Sequence, residues 1–570
     1  MLAPPRAAPL VGLLALALCP AACRAPSPSP ASLPAATGSA RPRLVVSIVV
    51  DQLSAWVVEE RLALLPETGG LRRLAREGAR VRRVEYAHAV TDTAPGHASL
   101  YTGKSPRETR IFGNEVFDAT GARVSILRDE RTRVVTVDGA RERPGSSPAR
   151  LAVPTVAEAH LAARPDARVL SLSWKDRGAI LPAGHPASGR TTALWFDVGE
   201  DAWVSSTAYG PRLPAFARDE VRAHPAAEFR RAPWTLSDAA WVEAHAATPD
   251  RAAGEGDLDG LGTVFPHSIP TPKAMRATPA ADALVLSMAR AGLEASPAPT
   301  LLLLSLSAND YVGHVFGPDS WEAWDQLARL DRALGELFTW LDGRYGASGW
   351  AAALSADHGN VSTPEALARG GRACGPGDPF ARPCAGVRML PDELGARLRG
   401  AVPGVVGICD PWVFLDPHTT PDARRAAEAG VEAALAKEPG VLRTFSATWL
   451  SERCPVASGE DPIAARVCAS YSPGAGDVYV VAREGAFFDP LQVPGSGVSH
   501  GSPHLYDRTV PLFVRAPQLV GEGQIIDGPL GFQEFRASLE LLLGLSSGPA
   551  WLGREGELPA SRRGPAAERR

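Results

Sequence analysis

Three apolar segments of the chain lead directly into an acidic residue, and two of these acidic residues are followed by a histidine. Buried parallel strands read as continuous apolar runs, and their carboxyl ends meet at the sheet edge where α/β proteins hold their active sites. We therefore predict that the following residues lie close together: Asp51 in LVVSIVVDQ, Asp310 and His314 in LLLLSLSANDYVGH, and Asp357 and His358 in WAAALSADHGN.

A further histidine, His500, lies in the late segment GVSHGSPH and completes a set of three carboxylates and three imidazoles. Zinc binds such ligands where thiolates are absent, and a catalytic zinc keeps one coordination position open. Asp310 and His314 are four residues apart, so one helical turn would place both side chains on one face. Any one of these residues alone is more often a helix cap or a structural histidine, but their combination predicts a hydrolase with two metal ions.

The segment TDTAPGHASLYTG supplies a candidate nucleophile, Thr93, at the predicted start of a helix. The ordinary role of a threonine at this position is to cap the helix. A hydroxyl beside a metal ion can also ionise and attack an anion that the helix N-terminus holds. Thr91 is the rival nucleophile, although it precedes the predicted cap.

Three further residues suit a bound phosphoryl group: Asn114 in IFGNEVFD, and Lys175 and Arg177 in SWKDRGA. Two residues apart on an extended segment, the side chains of Lys175 and Arg177 point the same way. Lysine offers a point charge, and arginine offers a fork for two phosphate oxygens. A solvated basic loop is the ordinary alternative.

Strand-like and helix-like segments alternate along the 570 residues, which predicts an α/β fold with a mostly parallel sheet and helices on its faces. Residues 184–267 show no long buried strand, and we interpret this stretch and residues 370–494 as insertions that form walls or a cap over the site. The predicted strands span residues 43–50, 79–87, 167–173, 300–307, 349–355 and 509–514, and the predicted helices span residues 69–77, 94–102 and 321–341.

The N-terminus has the features of a targeting segment. Arg6, an apolar run and small residues before Cys23 predict a signal peptide over residues 1–23, and therefore export. The sequence PAAC resembles a bacterial lipoprotein cleavage site, in which Cys23 would carry an outer-membrane lipid anchor; a plain signal peptide that leads to the periplasm is the alternative. The Ser/Pro-rich residues 24–42 predict a disordered tether, and the polar residues 559–570 predict a frayed tail.

Export implies an oxidising compartment, in which cysteines pair. Cys374 with Cys384 and Cys454 with Cys468 are close enough in sequence to staple surface loops, which would leave Cys409 over. The formal net charge is only -4 and no basic stripe is present, so we expect no nucleic-acid partner. The sequence leaves the oligomeric state open.

Together, these segments resemble the alkaline phosphatase superfamily, in particular its nucleotide pyrophosphatase/phosphodiesterase-like branch and the PafA-type bacterial alkaline phosphatases within it. The resemblance implies an alkaline-phosphatase-like three-layer α/β/α sandwich with cap insertions, which would span residues 43–558. The matching segments occur in the family's order, as VVDQ, TDTAPGHASLYTG, GNEVFD, SWKDRGAILPAGH, SANDYVGHVFGP, SADHGN and SHGSPHLYDRTVPLFV.

The resemblance also implies roles for the candidate residues. Asn114, Lys175 and Arg177 would contact the phosphate oxygens, and Thr93 would be the nucleophile. His88, His97 and His504 match no ligand position, so we predict that they are not ligands. One zinc ion would be held by Asp310, His314 and His500, and the other by Asp51, Asp357 and His358 together with Thr93.

In this family the Lys-x-Arg pair accompanies hydrolysis of phosphate monoesters. The resemblance therefore implies an exported alkaline phosphatase that acts on small-molecule phosphate esters through a covalent phospho-threonine intermediate. Sulfatases of the superfamily need the motif C/S-x-P-x-R, and the corresponding residues 93–97 read TAPGH. The alternatives are a phosphodiesterase, pyrophosphatase or phosphonate hydrolase on the same scaffold, and a non-catalytic surface lipoprotein that binds metal or phosphate.

Overall fold

A computed structural model of the chain describes residues 41–552, apart from residues 296, 371–373, 375–379, 381 and 492. The predicted signal peptide with Cys23, the tether as far as residue 40 and the tail at 559–570 lie outside the described residues. In the described part, no helix is both long enough and apolar enough to cross a membrane.

The described residues form an alternating series of strands and helices. The strands are β1 (Leu44–Val50), β2 (Ala79–Glu85), β3 (Glu115–Phe117), β4 (Arg123–Ser125), β5 (Arg128–Thr136), β6 (Gly139–Ser146), β7 (Val169–Ser173), β8 (Thr191–Asp197), β9 (Ala202–Ser206), β10 (Leu301–Leu306), β11 (Trp350–Ser355), β12 (Val387–Met389), β13 (Val405–Cys409), β14 (Trp412–Leu415), β15 (Val441–Ser446), β16 (Val478–Ala482), β17 (Ala486–Phe488), β18 (Thr509–Arg515), β19 (Gln524–Ile526) and β20 (Leu530–Gly531).

The α-helices are α1 (Ala55–Arg61), α2 (Gly70–Glu77), α3 (Thr93–Thr102), α4 (Pro106–Thr109), α5 (Val156–Ala163), α6 (Asp176–Ala183), α7 (Ala215–Ala223), α8 (Ala226–Phe229), α9 (Ala239–His245), α10 (Pro272–Met275), α11 (Pro279–Glu294), α12 (Ala308–Phe316), α13 (Trp321–Tyr345), α14 (Pro364–Arg369), α15 (Pro391–Ala401), α16 (Pro421–Leu435), α17 (Ala447–Arg453), α18 (Pro462–Ser470), α19 (Leu505–Arg508) and α20 (Gln533–Leu543). Short 3₁₀ helices span Leu62–Leu64 and Ala550–Leu552.

A 12-stranded sheet forms the centre of the fold, in the order β19-β2-β18-β11-β1-β10-β7-β8-β9-β5-β6, with β20 paired to β2. Its middle strands, β11, β1, β10, β7 and β8, are parallel to one another. Every residue of β1, β7, β10 and β11 is buried, as expected for strands covered on both faces. The pairs β11–β18, β18–β2, β8–β9, β9–β5 and β5–β6 are antiparallel, so the sheet is mixed as a whole and parallel at its centre.

Helices cover both faces of this sheet. The helices α3, α5, α6 and α20 pack together and contact β1, β7, β8, β10 and β11. A second group, α1, α2, α11 and α13, contacts β7, β10, β11 and β18. The two groups cover the same strands, β7, β10 and β11, without extensive contact with each other, so they lie on opposite faces, and the predicted three-layer α/β/α arrangement is confirmed.

The stretch 184–267 differs from our expectation, since it does contain a long and largely buried strand. Strand β8 (Thr191–Asp197) pairs in parallel with β7 and joins the central sheet, and β9 follows it. Two threonines open β8 and an aspartate closes it, so only four consecutive apolar residues remain at 193–196. So short an apolar run carries a weak periodic signal, which is why the sequence pattern did not predict this strand.

Residues 370–494 include a separate antiparallel sheet in the order β13-β14-β16-β15. Helices α15 and α16 pack on it around their own apolar core, which includes Leu398, Val413 and Val431. Both predicted cysteine pairings are confirmed, as Cys374–Cys384 and Cys454–Cys468. Cys409 is buried and free.

Candidate functional site

The predicted ligands meet where neighbouring strands end. Strand β1 lies between β10 and β11, with Val50 opposite Leu306 and Val49 opposite Ser355. Asp51 directly follows β1, the helix that carries Asp310 directly follows β10, and Asp357 lies two residues beyond β11. Parallel pairing in this register therefore brings the three carboxylates to one edge of the sheet, as the sequence predicted.

The first ligand group is formed by Asp310, His314 and His500, all buried. The Nε2 atoms of His314 and His500 lie 3.1 and 3.5 Å from Asp310 Oδ1. Their Nδ1 atoms face main-chain carbonyl oxygens, at 2.7 Å from Val498 and 2.8 Å from Thr91. Because a carbonyl oxygen only accepts, Nδ1 carries a hydrogen in each ring, which leaves Nε2 as the nitrogen that is placed to bind a metal ion.

The second group is built around His358, whose Nδ1 faces the Gly359 carbonyl oxygen at 3.0 Å. His358 Nε2 lies 3.4 Å from Asp51 Oδ1 and 3.6 Å from Asp357 Oδ2. Asp51, Asp310 and His358 offer ligand atoms within 4.8 Å of one another. Asp310 thus belongs to both groups, and Asp357 adjoins the second one.

These side chains fit a bound cation. Neither Asp51 Oδ1 nor His358 Nε2 makes a hydrogen bond within the described part of the chain. Buried polar atoms without partners are costly, and positive charge balances carboxylate oxygens that converge in this way. Although burial alone would lower it, the Asp357 and Asp51 carboxylates raise the pKa of His358 to about 10. The same negative field that favours a proton there favours a divalent metal ion.

Lys175 joins the two ligand groups to the predicted nucleophile. Its Nζ lies 2.6 Å from Asp51 Oδ2 and 2.6 Å from Asp310 Oδ2, and it donates to Thr93 Oγ1 at 3.2 Å. Burial alone would lower the pKa of Lys175, but the Asp310 and Asp51 carboxylates raise it above its ordinary value. The lysine therefore stays charged. Its predicted contact with phosphate oxygens stays a prediction.

Thr93 is the first residue of α3, and its N–H donates to Asp92 Oδ1 at 3.0 Å. Asn114 accepts the Ala94 N–H at 2.8 Å through Oδ1 and contacts Asp92 through its amide nitrogen. The hydroxyl of Thr91, in contrast, donates to the Ser502 carbonyl oxygen at 2.9 Å. Of the two threonines, only Thr93 lines the cavity into which the site opens, which is described below.

Helix α3 approaches the end of β11 very closely. A Cβ atom added at Gly96 would lie 2.2 Å from the Asp357 carbonyl oxygen, so only glycine permits this approach. The contact brings the helix that carries Thr93 against the strand end that carries Asp357 and His358.

Sequence reasoning missed two residues that contact the predicted ligands. His97 Nδ1 lies 3.0 Å from Asp357 Oδ2, and its Nε2 lies 2.9 Å from Ser305 Oγ. Gln52 donates to Asp310 Oδ1 at 2.9 Å through its side chain and to Asp357 Oδ1 at 3.2 Å through its N–H. The available signals were the position of Gln52 next to Asp51 and the spacing of His97 one helical turn beyond Thr93.

The histidines predicted not to be ligands stand outside both ligand groups. His97 contacts a ligand instead of joining a group. His504 Nε2 faces the Ala482 carbonyl oxygen at 3.0 Å. His88 is buried against Tyr86 and Phe532.

We expect His97→Ala to weaken the binding of divalent metal by about 10- to 100-fold, because a partner that orients a ligand carboxylate is lost. Chelator competition followed by measurement of metal content would report this change. His504→Ala is the matched control, since it removes a partly buried imidazole whose contacts, the Ala482 carbonyl oxygen and the Tyr506 ring, lie outside both groups. Equal metal affinity in both variants would show that His97 does not position Asp357.

The site opens into a cavity of about 380 Å³. Arg177 lines it with its guanidinium; burial lowers the pKa of Arg177, but Tyr311 and Asp176 raise it above its ordinary value. Asp51, Asp357 and His358 lie buried behind the cavity. The predicted site residues along its wall are Thr93, Asn114, Lys175, Arg177, Asp310, His314 and His500.

Comparison with known proteins agrees with this arrangement. The family model described as type I phosphodiesterase / nucleotide pyrophosphatase matches residues 45–502. The alkaline phosphatase PafA of Elizabethkingia meningoseptica is 30% identical over 495 residues, which cover 83% of this chain and 86% of that protein. The alkaline phosphatase PhoK of a Sphingomonas species is 30% identical over 501 residues, which cover 83% of each protein.

A third relative matches over a shorter region. The alkaline phosphatase PhoV of Synechococcus elongatus is 35% identical over 341 residues, and the match covers 57% of this chain and 60% of PhoV. The crystal structure of wild-type PafA has a TM-score of 0.76 and 25% identity, and the match covers 92% of this chain and 99% of that one. The chain therefore belongs to the type I phosphodiesterase / nucleotide pyrophosphatase family, a family of hydrolases in which these similar relatives are alkaline phosphatases.

Proposed function

We propose that this protein is an exported phosphatase that hydrolyses phosphate monoesters with two zinc ions and a phospho-threonine intermediate. The observation that carries the proposal is the position of Lys175. Its ammonium group lies within hydrogen-bond distance of the Thr93 hydroxyl and of both ligand groups. The three relatives described above, PhoV, PafA and PhoK, are named alkaline phosphatases, which supports the same activity.

The donor set suits zinc, which binds imidazole and carboxylate ligands. Two bound zinc ions would supply Lewis acidity, which lowers the pKa of a hydroxyl and stabilises a departing oxygen. Asp310, His314 and His500 would hold one ion. Asp51, Asp357 and His358 would hold the other, with Gln52 and His97 orienting the carboxylates.

The chain's own residues account for the remaining chemistry. Thr93 Oγ1 attacks phosphorus in line with the leaving oxygen, so a threonine–phosphorus ester forms as the bond to the alcohol breaks. The hydroxyl proton passes to solvent, and the alcohol leaves with a proton. Water then attacks the phosphothreonine, which releases inorganic phosphate and restores the Thr93 hydroxyl. Lys175, Arg177 and Asn114 stabilise the charge on the equatorial oxygens, the main task in phosphoryl transfer.

Export rests on the N-terminal sequence and on the cysteines. The signal-peptide features that end at Cys23 support transfer across the inner membrane, with a lipid on Cys23 as the anchored form. The disulfides Cys374–Cys384 and Cys454–Cys468 support an oxidising compartment.

The test is the turnover of 4-nitrophenyl phosphate and bis(4-nitrophenyl) phosphate by the purified protein at alkaline pH. We expect a strong preference for the monoester, loss of turnover on both substrates after chelation, and recovery when zinc is restored. Circular dichroism of the chelated protein controls for unfolding. Preference for the diester would reassign the protein to phosphodiester hydrolysis, and zinc binding without turnover would favour the non-catalytic alternative.

A further inference from the structure

The cavity beside Thr93 is lined by two cations to which the proposed reaction gives no role, Arg123 and Arg276. Arg276 follows α10 directly, is half-buried and lines the same cavity as Lys175 and Arg177. In the described part of the chain, no acceptor hydrogen-bonds to its Nε, and no carboxylate forms an ion pair with it. The charge of Arg276 contributes to lowering the pKa of Asp259, but this carboxylate is exposed and has other partners. It accepts a hydrogen bond from the Thr271 hydroxyl and forms an ion pair with Lys273, with 3.6 Å between Nζ and Oδ1.

Arg276 is held by an aromatic ring instead. Its guanidinium carbon lies 4.5 Å from the centre of the Tyr311 ring, and Lys175 Nζ lies 4.8 Å from the same centre. A ring face attracts a cation without using its hydrogen-bond donors. Tyr311 therefore fixes the position of Arg276 and leaves the guanidinium fork free to bind an anion.

The other arginines of the cavity are placed differently. Arg123 donates to Asp392 Oδ1 at 2.8 Å and to the Ile408 carbonyl oxygen at 2.9 Å, so its fork is occupied. Lys175 donates to the Thr93 hydroxyl at 3.2 Å, and Arg177 lies two residues further along the chain, whereas in the described part of the chain Arg276 hydrogen-bonds to neither Thr93 nor either ligand group. Of the three arginines that line the cavity, Arg276 is thus the one whose guanidinium is occupied neither by the protein nor by the proposed contacts to the phosphoryl group.

The cavity has room for more than a phosphoryl group. Its volume of about 380 Å³ falls within the range of small-molecule sites. The residues that the segment 391–491 contributes to its wall include the apolar side chains Pro391, Ile408, Phe488 and Leu491. A short carbon skeleton could lie against this wall while its ends contact cations.

We propose that Arg276 binds a second anionic group on the alcohol portion of the substrate, so that the preferred substrates are phosphate monoesters with a further carboxylate or phosphate. This inference rests on the proposed monoesterase activity and specifies its substrate class. Arg276 is a specificity residue that acts through its fork, and Tyr311 positions it.

The test compares two substrates that share one three-carbon skeleton. Glycerol 3-phosphate has an uncharged hydroxymethyl end, and glycerate 3-phosphate has a carboxylate there. In the zinc-loaded protein, Arg276→Met is expected to lower the ratio of kcat/KM for glycerate 3-phosphate over glycerol 3-phosphate by about 10- to 100-fold, the value of one charge-assisted hydrogen-bond pair. The change should lie mainly in KM, because the carboxylate is bound equally in the ground and transition states.

Arg276→Lys keeps the charge and loses the fork, so its ratio should fall between those of the wild type and Arg276→Met. An unchanged ratio in Arg276→Met, with monoesterase activity intact in the wild type, would overturn the role of Arg276 alone. Hydrolysis of neither monoester by the wild type would overturn the proposed function, and this inference with it.

Discussion

Replacement of Thr93 by alanine is expected to lower kcat for 4-nitrophenyl phosphate by about 10⁴-fold or more, the scale on which loss of a catalytic nucleophile acts. The hydroxyl is the only group of the Thr93 side chain that can form the phosphoryl ester, and Lys175 Nζ lies 3.2 Å from it. The six predicted carboxylate and imidazole ligands are untouched, so metal content should match that of the wild type. Steady-state kinetics with metal analysis would measure both quantities.

Two variants and one trapping experiment make this result specific. Thr93→Ser keeps a hydroxyl and should retain part of the activity. Thr91→Val removes the rival hydroxyl, which donates to the Ser502 carbonyl oxygen, and should cost about 1 kcal/mol of stability with turnover largely preserved. Acid quenching during turnover of a ³²P-labelled substrate should leave label on the wild type and none on Thr93→Ala. Label on Thr93→Ala, or high activity in it, would contradict the assignment.

The double variant Lys175→Ala, Arg177→Ala should separate the two kinds of phosphate ester. A monoester presents a doubly charged phosphoryl group, whereas a diester carries one charge fewer on the group being transferred. Loss of two charge-assisted contacts is expected to lower kcat/KM for the monoester by about 10²- to 10⁴-fold, with a much smaller loss for the diester. Turnover of 4-nitrophenyl phosphate and its bis ester measures both losses.

The single variants Arg177→Ala and Lys175→Ala separate loss of substrate binding from loss of protein stability. In the part of the chain that the structure describes, the guanidinium of Arg177 forms an ion pair only with Asp176, at 3.9 Å, so Arg177→Ala breaks no short ion pair within the protein. Lys175→Ala also removes the positive charge from beside Asp51 and Asp310. It should therefore also lower the stability of the metal-free protein, which thermal unfolding would detect. Equal losses on monoester and diester in Arg177→Ala would refute its role in recognising the dianion.

The residues with the clearest local signals were predictable. Asp51, Asp310 and Asp357 follow runs of consecutive apolar residues, and the parallel pairing of such runs brings their ends together. Asp310 and His314 share a face because they are one turn apart on α12. In contrast, β8 was not predicted because its apolar run is short. The central sheet also contains strands, such as β9, β5 and β6, that no periodic pattern in the sequence indicated.

Other features depend on contacts between distant parts of the chain. Gln52 donates a hydrogen bond to Asp310, which is 258 positions away in the sequence, and His97 contacts Asp357. No local sequence pattern predicts either contact. The choice between Thr91 and Thr93 turns on the Ser502 carbonyl oxygen, which holds the Thr91 hydroxyl away from the cavity. Arg276 comes from another segment and packs at this cavity on the ring of Tyr311, the residue that follows Asp310.

By itself, the sequence determined which side chains could bind metal and which strands would bring them to one edge, because residue type and local periodicity act over short distances along the chain. Only the tertiary structure decided the protonated nitrogen of each ligand histidine, the sharing of Asp310 between both groups and the position of the Lys175 ammonium. These features depend on which main-chain carbonyl or carboxylate lies within about 3 Å of a given atom. The packing of distant segments sets such distances, and no local pattern records them.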